Sequence, residues 1–229
     1  MAASLISCAT CDKASCALLT LSKNELMQME EHTNNTSMKS GDLMLRQSTP
    51  FQSIIYLRDG YVKEFVINEN SPDQIVQLIK PRSYIGLQSL FTDEVSAFSY
   101  KAITDIEVCY IQSDTFNTLI KENGDFAREI LFAVSNETLN NQKRILGLNQ
   151  KQIFGKVADI IIYLSRQVYE TDKFDLYLSR SELSQMIAST RESVTRALLW
   201  FHQEGMIRMN KSRLEILNIK RLKEISRKG

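Results

Sequence analysis

Four cysteines are the residues of this 229-residue sequence best suited to chemistry. Cys8, Cys11 and Cys16 lie close together near the N-terminus, and Cys109 lies far along the chain in an apolar, strand-like run. Thiolates are soft ligands that suit iron–sulfur clusters or zinc. Three thiols on a short arm cannot complete a four-coordinate site, so the spacing predicts a site that Cys109 completes on folding. Structural zinc, a thiol–disulfide switch and incidental cysteines remain open alternatives.

The composition is that of an ordinary globular protein, with 43% hydrophobic and 24% charged residues. No apolar run approaches the roughly 18 residues that a membrane span requires. The segment from Met1 to Ile6 lacks the basic patch and apolar stretch of a secretory signal. We therefore expect a cytoplasmic protein without a membrane partner, in which thiols stay reduced and available to a metal.

Charge is distributed unevenly along the chain. Residues 1–149 hold 13 basic and 18 acidic residues, a net charge of −5, whereas residues 150–229 hold 15 basic and 9 acidic residues, a net charge of +6. A basic module joined to an acidic one fits a C-terminal half that meets nucleic acid phosphates.

Short apolar runs separated by turn residues dominate the chain from about residue 38 to 112. The predicted strands are Leu43–Leu45, Ile54–Leu57, Tyr61–Ile67, Ile75–Ile79 and Ile103–Ile111. Strands at this spacing are typical of a small antiparallel barrel or sandwich. Asp59-Gly60 predicts a hairpin between the second and third runs, because glycine accepts a positive φ.

The period becomes helical over residues 122–150, where no proline interrupts the pattern. Such a helix would run about 40 Å, which favours pairing with a second copy of the chain. The predicted dimer interface is the stripe Phe126, Ile130, Val134, Glu137, Asn141, Ile145 and Leu148. The alternative is a helix packed on its own sheet.

Residues 151–229 predict a winged helix-turn-helix. Ser179 and Glu182 form a capping-box pattern, Thr190 is a predicted N-cap for a helix over Arg191–Gln203, and Gly205 a predicted stop. A wing hairpin is predicted over residues 206–219. The predicted DNA-binding residues are Arg191, Glu192, Thr195 and Arg196, with Ser181 and Thr190 beside them. Arginine can donate twice to guanine and glutamate can accept from cytosine in the major groove.

The stretch from Ser189 to Arg196, Ser-Thr-Arg-Glu-Ser-Val-Thr-Arg, resembles the recognition signature of the CRP/FNR superfamily of bacterial regulators. The resemblance covers nearly the whole chain. It implies an α+β fold with an N-terminal antiparallel β-roll (a cupin-like jelly roll), a long dimerisation helix and a C-terminal winged helix-turn-helix. The implied domains are a cysteine arm at 1–20, a β-roll sensor at 21–121, a dimerisation helix at 122–150 and a DNA-binding domain at 151–229. The implied partners are double-stranded DNA, a second copy of the chain and RNA polymerase.

The FNR branch of that superfamily senses oxygen with a [4Fe–4S] cluster held by three N-terminal cysteines and one distant cysteine. Cys8, Cys11 and Cys16 look like the first three ligands, and Cys109 falls in the strand of the fourth. The resemblance therefore implies a [4Fe–4S] cluster that responds to oxygen or nitric oxide. The recognition helix is instead closer to the CRP branch, because Arg191 and Thr195 replace residues common in FNR proteins, and this leaves a TGTGA-like half-site open.

The CRP branch binds cyclic AMP with a glutamate and an arginine. Leu87 and Val95 stand at the matching positions, and an apolar residue cannot neutralise a cyclic phosphate, so we expect no cyclic nucleotide. Ala188 replaces a turn glycine common in the superfamily. If that turn requires a positive φ, alanine costs roughly 1 kcal/mol there.

An enzyme is not expected. The two histidines, His32 and His202, are far apart in sequence, and the chain has no P-loop or Rossmann glycine pattern. An iron–sulfur electron carrier is the alternative from another functional class, although a carrier needs no groove-reading helix.

Overall fold

The structure is a computed structural model that describes residues 8–50, 52–91 and 95–229. The chain divides into two compact units: one runs through Val66 and includes Leu78–Leu139, and the other comprises Ile67–Gln77 and Asn140–Gly229. The first seven residues of the predicted cysteine arm lie outside the described part. The predicted domain boundaries stay predictions.

Two four-stranded sheets form the β-roll. Its strands are β1 (Thr33–Met38), β2 (Leu43–Leu45), β3 (Ser53–Asp59), β4 (Val62–Val66), β5 (Gln74–Ile79), β6 (Ser83–Ile85), β7 (Ser99–Ala102) and β8 (Ile106–Gln112). One sheet has the order β1-β8-β3-β6 and the other β2-β7-β4-β5. β8 pairs antiparallel with β1 and β3, and β7 pairs antiparallel with β2 and β4. The predicted N-terminal antiparallel fold is confirmed.

Three strands of the roll, β1, β6 and β7, were not predicted from the sequence, and β1 illustrates the reason. Its sequence, Thr-Asn-Asn-Thr-Ser-Met, has no apolar alternation, and it lies at the edge of its sheet. Its backbone nevertheless pairs with β8 along its whole length, from Thr33 opposite Ile111 to Met38 opposite Ile106. Backbone hydrogen bonds to a buried neighbour, rather than side-chain pattern, define this strand.

The predicted hairpin at Asp59-Gly60 is wrong in one respect. The turn exists and Gly60 has a φ of +80°, but the strands on either side, β3 and β4, belong to different sheets. A Cβ at Gly60 would clash with the backbone oxygen of Asp105. Glycine is therefore required at a corner where the chain crosses between sheets, and a turn dipeptide alone does not reveal whether its strands pair.

Three helices accompany the roll: α1 (Lys23–Glu31), α2 (Ser113–Glu122) and α3 (Gly124–Gln150). Short 3-10 turns occur at Cys8–Thr10, Leu18–Thr20 and Ser89–Phe91. α1 begins with a capping box between Ser22 and Glu25. Phe116 of α2 and Phe126 of α3 are fully buried and meet edge to face with ring centroids 5.3 Å apart. These helices close the core of the first unit.

Three of the seven residues of the predicted dimer stripe face the core of their own unit. Phe126 and Ile130 are buried in the core of their own unit, and Val134 packs against the same core. Glu137, Asn141 and Leu148 on the same stripe are half-buried, whereas Ile145 is exposed. The assignment of Phe126 and Ile130 to a dimer interface is therefore wrong, because the α2–α3 junction packs this stripe under the roll.

A second apolar stripe on α3 is exposed instead. Its members are Leu131, Phe132, Leu139, Ile145 and Leu146. Phe132, Leu139 and Leu146 are spaced seven residues apart along the helix, so they share one face. We call these three residues the α3 seam.

The second unit contains α4 (Ile153–Tyr163), a π-helical turn (Leu164–Val168), β9 (Lys173–Asp175), α5 (Arg180–Met186), α6 (Arg191–Gln203), β10 (Ile207–Asn210), β11 (Arg213–Ile216) and α7 (Ile219–Lys228). The strands form one sheet of order β10-β11-β9. This arrangement confirms the winged helix-turn-helix and adds β9 and α7, which were not predicted. None of the described helices has the length and apolarity that crossing a membrane demands.

The predicted helix caps of this unit are confirmed. Ser179 and Glu182 form both hydrogen bonds of a capping box at α5, and Thr190 accepts from the backbone N–H of Ser193 at the start of α6. Gly205 follows α6 with a φ of +67°. Ala188, in the turn between α5 and α6, has a φ of +48°, so alanine occupies a left-handed position as the sequence analysis anticipated.

Ala188→Gly should stabilise the protein by about 1 kcal/mol, because glycine removes the left-handed strain of an L-residue and the gain outweighs its extra unfolded-state entropy. Denaturant unfolding followed by circular dichroism measures the change. The same substitution at Ala133, an exposed helical position in α3, is the matched control and should destabilise by up to about 1 kcal/mol. Equal decreases in the free energy of unfolding for Ala188→Gly and Ala133→Gly would show that the turn carries no strain.

Candidate functional site

Three of the four cysteines line one recess in the first unit. Its lining residues are Cys8, Cys11, Leu18, Met29, Thr33, Asn35, Tyr56, Arg58, Cys109 and Ile111, and its empty space, including the part open to solvent, is about 360 Å³. The arm contributes two thiols and strand β8 contributes the third. The sequence expectation that folding brings Cys109 toward the arm is met for Cys8 and Cys11.

The sheet register positions the floor of this recess. Cys109 of β8 lies opposite Asn35 of β1 on one side and opposite Tyr56 of β3 on the other. Because directly opposite residues project from the same face of a sheet, these three side chains form a row across it. Arg58 lies two residues beyond Tyr56 on β3, where the register with β8 is irregular, and it also lines the recess.

Polar contacts hold the arm against this floor. The Tyr56 hydroxyl donates to the backbone oxygen of Lys13, and the hydroxyls of Ser15 and Tyr84 lie 2.8 Å apart. The Lys13 ammonium lies 2.5 Å from an Asp59 carboxylate oxygen. Leu18 and its neighbours on the arm join the buried core. The arm is thus packed against the roll over residues 13–18, directly after Cys8 and Cys11.

Burial raises the pKa of two of the recess thiols, Cys8 and Cys109. Desolvation, followed by the charge of Glu30, raises the pKa of Cys8 to about 11. Desolvation likewise raises the pKa of Cys109 to about 12, although the charge of Arg58 opposes the shift. Thiol ligands bind metals as thiolates, so a bound cationic centre would have to displace these protons.

Two buried polar atoms in the recess have no hydrogen-bond partner, the Arg58 Nε and the Asn35 Oδ1. Burial lowers the pKa of Arg58, but a hydrogen bond with Cys11 and the charges of Cys11, Cys109 and Glu107 outweigh it and leave the pKa raised. Unpartnered polar atoms are rare in protein interiors. Their location beside three thiols makes the recess a candidate ligand site.

Cys16 does not line the recess. Its side chain is exposed, while its neighbours Ser15 and Ala17 are both buried. All four cysteines are free thiols. Among the residues that the structure describes, no group of three or more His, Cys, Asp or Glu side chains is arranged to hold a single metal ion.

The positions that would bind a cyclic nucleotide are apolar. Leu87 is buried and Val95 is exposed, and the Ser96 hydroxyl donates to the backbone oxygen of Phe98. The buried Glu64 accepts a hydrogen bond from the Tyr100 hydroxyl at 3.0 Å. The expected lack of cyclic nucleotide binding stays a prediction.

The predicted DNA-reading residues gather at the start of α6. Arg191, Glu192 and Arg196 are exposed, and Val194, Ala197, Leu198 and Phe201 are buried on the opposite face. The Thr195 hydroxyl donates to the backbone oxygen of Arg191, and the Thr190 side chain caps the helix. Three charged side chains are therefore available to base edges, while the two threonines serve the helix itself.

Ser181 is exposed on α5, and the residue before it was missed by the sequence analysis. Arg180, the first residue of α5, lies against the Met209 sulfur of the wing, with a buried Nη1 that lacks a hydrogen-bond partner. Desolvation lowers its pKa. An arginine at the N-terminus of a helix suits a phosphate, since the helix dipole also attracts anions there. The sequence signal that could have identified Arg180 is its position immediately after Ser179, the N-cap of α5.

Comparison with known proteins agrees with this architecture. Residues 35–123 match the model of the cyclic nucleotide-binding domain, and residues 155–225 match that of the Crp-like helix-turn-helix domain. Over 217 residues the chain is 26% identical to the transcriptional activator protein Anr of Pseudomonas aeruginosa, covering 92% of this chain and 88% of that protein. Over 208 residues it is 23% identical to the fumarate nitrate reduction regulatory protein of Klebsiella oxytoca, covering 89% and 83%.

Among solved structures, FixK2 from Bradyrhizobium japonicum superposes with a TM-score of 0.77 at 18% identity, covering 84% of this chain and 96% of that one. This likeness concerns the fold. The two domain models together account for the roll and the DNA-reading unit in their observed order. The chain therefore belongs to the CRP/FNR family of transcriptional regulators.

Proposed function

We propose that this regulator binds palindromic promoter DNA as a homodimer and senses oxygen or nitric oxide through a [4Fe–4S] cluster. The observation that carries the sensing proposal is the recess in which Cys8, Cys11 and Cys109 meet beside a buried arginine. Similar proteins have names that support it, such as the anaerobic regulatory protein of Pasteurella multocida, which is 23% identical over 216 residues.

The donor set suits an iron–sulfur cluster better than zinc. A structural zinc ion holds its thiolates about 2.3 Å away in a tight tetrahedron. The described cysteines are not arranged around a single ion, and a four-iron core accepts more widely separated thiolates. When bound, such a cluster would supply an oxygen-sensitive link between the arm and β8.

Cys8, Cys11 and Cys109 would hold the cluster, and Cys16 would be the fourth ligand. Because Ser15 and Ala17 are buried on either side of Cys16, its sulfur reaches the recess only if that turn of the arm rearranges. The arm would then be held both by its own polar contacts and by the thiolates. Release of the thiolates would shift the population toward a less tightly held arm.

The α3 seam is the proposed dimer interface, in place of the stripe predicted from sequence. Three large apolar side chains at heptad spacing are exposed on a helix of 27 residues. Exposed apolar stripes of this kind commonly pair with a copy of themselves. Two copies of α6 would then read two half-sites of a palindrome about one DNA turn apart.

RNA polymerase is the further partner we infer, with action in the cytoplasm, where a promoter-binding regulator meets it. Two alternatives remain for the cysteines, a thiol–disulfide switch and structural zinc. An iron–sulfur electron carrier is less well supported, because α6 and its wing have no use in electron transfer. We do not propose that this chain catalyses a reaction.

Anaerobic purification should yield about four iron and four sulfide per chain, with broad absorption near about 400 nm. Cys109→Ser should abolish this absorption, because it removes a ligand from the floor of the recess. Val108→Ser is the control, since it places the same polar side chain at a neighbouring buried position of β8. Stoichiometric zinc, or a colourless protein that forms a reversible disulfide, would replace the cluster proposal by the corresponding alternative.

Arg196→Ala should weaken binding to a specific palindromic duplex by about 1–3 kcal/mol, or roughly 5- to 150-fold, and relax base preference at one position per half-site. Fluorescence anisotropy at fixed salt measures both effects. Arg46→Ala removes an exposed arginine from the first unit and should leave affinity unchanged. Equal affinities of wild type and Arg196→Ala would exclude Arg196 from base reading.

Leu139→Glu should weaken dimerisation by roughly 100-fold or more, because two copies of an apolar contact are lost and two like charges are brought together. Analytical ultracentrifugation measures the monomer–dimer equilibrium. Ala133→Glu places the same charge at an exposed position of α3 outside the seam and is the matched control. An undisturbed dimer in Leu139→Glu would show that the seam is not the interface.

A further inference from the structure

We propose that Arg58 is a positioning residue for an anionic iron–sulfur group in the cysteine recess, donating hydrogen bonds to its sulfur atoms and balancing its charge. This inference rests on the proposed function. It concerns a residue outside the cysteine set, on the strand next to Cys109.

Arg58 is buried without an equally buried counterion. The residue is 6% exposed. Its nearest carboxylate oxygens belong to Glu107 at 3.4 Å and Asp12 at 3.8 Å, on side chains that are 44% and 79% exposed. A buried charge is costly unless it is both paired and hydrogen-bonded. These two solvent-facing carboxylates, together with the hydrogen bond to Cys11, balance the guanidinium only in part.

Glu107, one of these two carboxylates, has another cation beside it. Lys13 lies 3.7 Å from Glu107 and 2.5 Å from Asp59, at the outer edge of the arm. An ion pair that served only to fasten the arm would be complete with Lys13 at the surface. Arg58 instead extends into the recess, where its Nε has no hydrogen-bond partner.

The recess offers no anion of its own. The residues that line it include three thiols and Arg58 but no aspartate or glutamate. A four-iron cluster with thiolate ligands carries net negative charge and has sulfide and thiolate sulfurs that accept hydrogen bonds. Such a group supplies what both the Arg58 charge and its free donor lack.

Asn35 gives a second, independent sign of a polar ligand. Its Oδ1 is buried without a partner, and it lies directly opposite Cys109 in the β1–β8 register. An amide also has two N–H donors, and its oxygen and nitrogen exchange places on a half-turn of the side chain. Asn35 can thus donate toward the Cys109 sulfur from one side, with Arg58 on the adjoining strand β3.

The test compares full-length Arg58→Gln and Arg58→Lys with wild type after anaerobic cluster reconstitution. The readouts are the half-life of the absorption near about 400 nm under an iron chelator without oxygen, and the midpoint potential of the cluster. Arg58→Gln should shorten the half-life roughly 10- to 100-fold and shift the potential to more negative values, because one positive charge and its hydrogen bonds are lost. Arg58→Lys should have a half-life and a midpoint potential between those of Arg58→Gln and wild type.

Lys13→Gln is the matched control. It removes a positive charge beside Glu107 from a residue that does not line the recess. Its half-life should fall by no more than about 5-fold, as expected for one exposed ion pair that helps to hold the arm, and its potential should equal that of wild type. Thermal unfolding of each protein without iron separates a loss of fold from a loss of ligand binding. If Arg58→Gln does not fold, Arg58→Lys decides, because it retains the charge but lacks the Nε donor and the planar fork.

The outcomes separate the two proposals. Wild-type protein that takes up no iron–sulfur cluster overturns both the proposed function and this inference. Wild type that binds the cluster, with Arg58→Gln equal to it in half-life and potential, overturns the role of Arg58 alone. Equal losses in Arg58→Gln and Lys13→Gln would also overturn it, since they would reduce Arg58 to an arm-fastening ion pair.

Discussion

The docking of the N-terminal arm on the β1-β8-β3 surface is the interaction on which the site depends. Cys109 has a fixed place in its sheet, between Asn35 and Tyr56, but Cys8 and Cys11 reach it only because the arm packs there. The contacts of Tyr56 with Lys13 and of Ser15 with Tyr84 use hydroxyls at the ends of aromatic side chains, one buried and one partly buried. The arm is therefore held at defined points, and its thiols are positioned by protein contacts that a bound group reinforces.

This docking also connects the recess to the long helix within one core. Asn123, between α2 and α3, donates to a Glu25 carboxylate oxygen at 3.0 Å and to the Thr20 backbone oxygen at 3.4 Å, and its side chain accepts from the Phe126 backbone N–H. Thr20 ends the arm, and Phe126 lies in the first turns of α3. One side chain therefore bonds to the arm, to α1 and to the beginning of the helix that carries the seam.

The sequence predicted this molecule best where local chemistry determines structure. The capping box at Ser179, the Thr190 cap and the left-handed Ala188 follow from side-chain and backbone rules within a few residues, and all three are present. Periodicity was less reliable on α3. It identified an apolar stripe through Phe126 and Ile130, but a helix can carry two stripes, and only tertiary packing determines which one faces its own core. Arg58 and Asn35 gave no sequence signal, because their importance comes from cross-strand neighbours distant in sequence.

Switching between two states requires a free-energy difference between them, and this core is where that difference has to arise. Moving a two-state equilibrium from about 1:99 to 99:1 requires a ligand that favours one state by about 5.5 kcal/mol. Arm contacts such as Lys13 with Asp59 are solvent-exposed ion pairs, which contribute at most about 1 kcal/mol each. They can orient the arm but cannot supply that difference. We infer that the difference comes from the recess, where a buried arginine is costly to leave only partly paired and where an anionic, thiolate-bound group would complete its pairing. Since Ile130, in the same core, lies directly before Leu131 and Phe132, a change in how that core packs reaches the first exposed turn of the seam without crossing to the other unit.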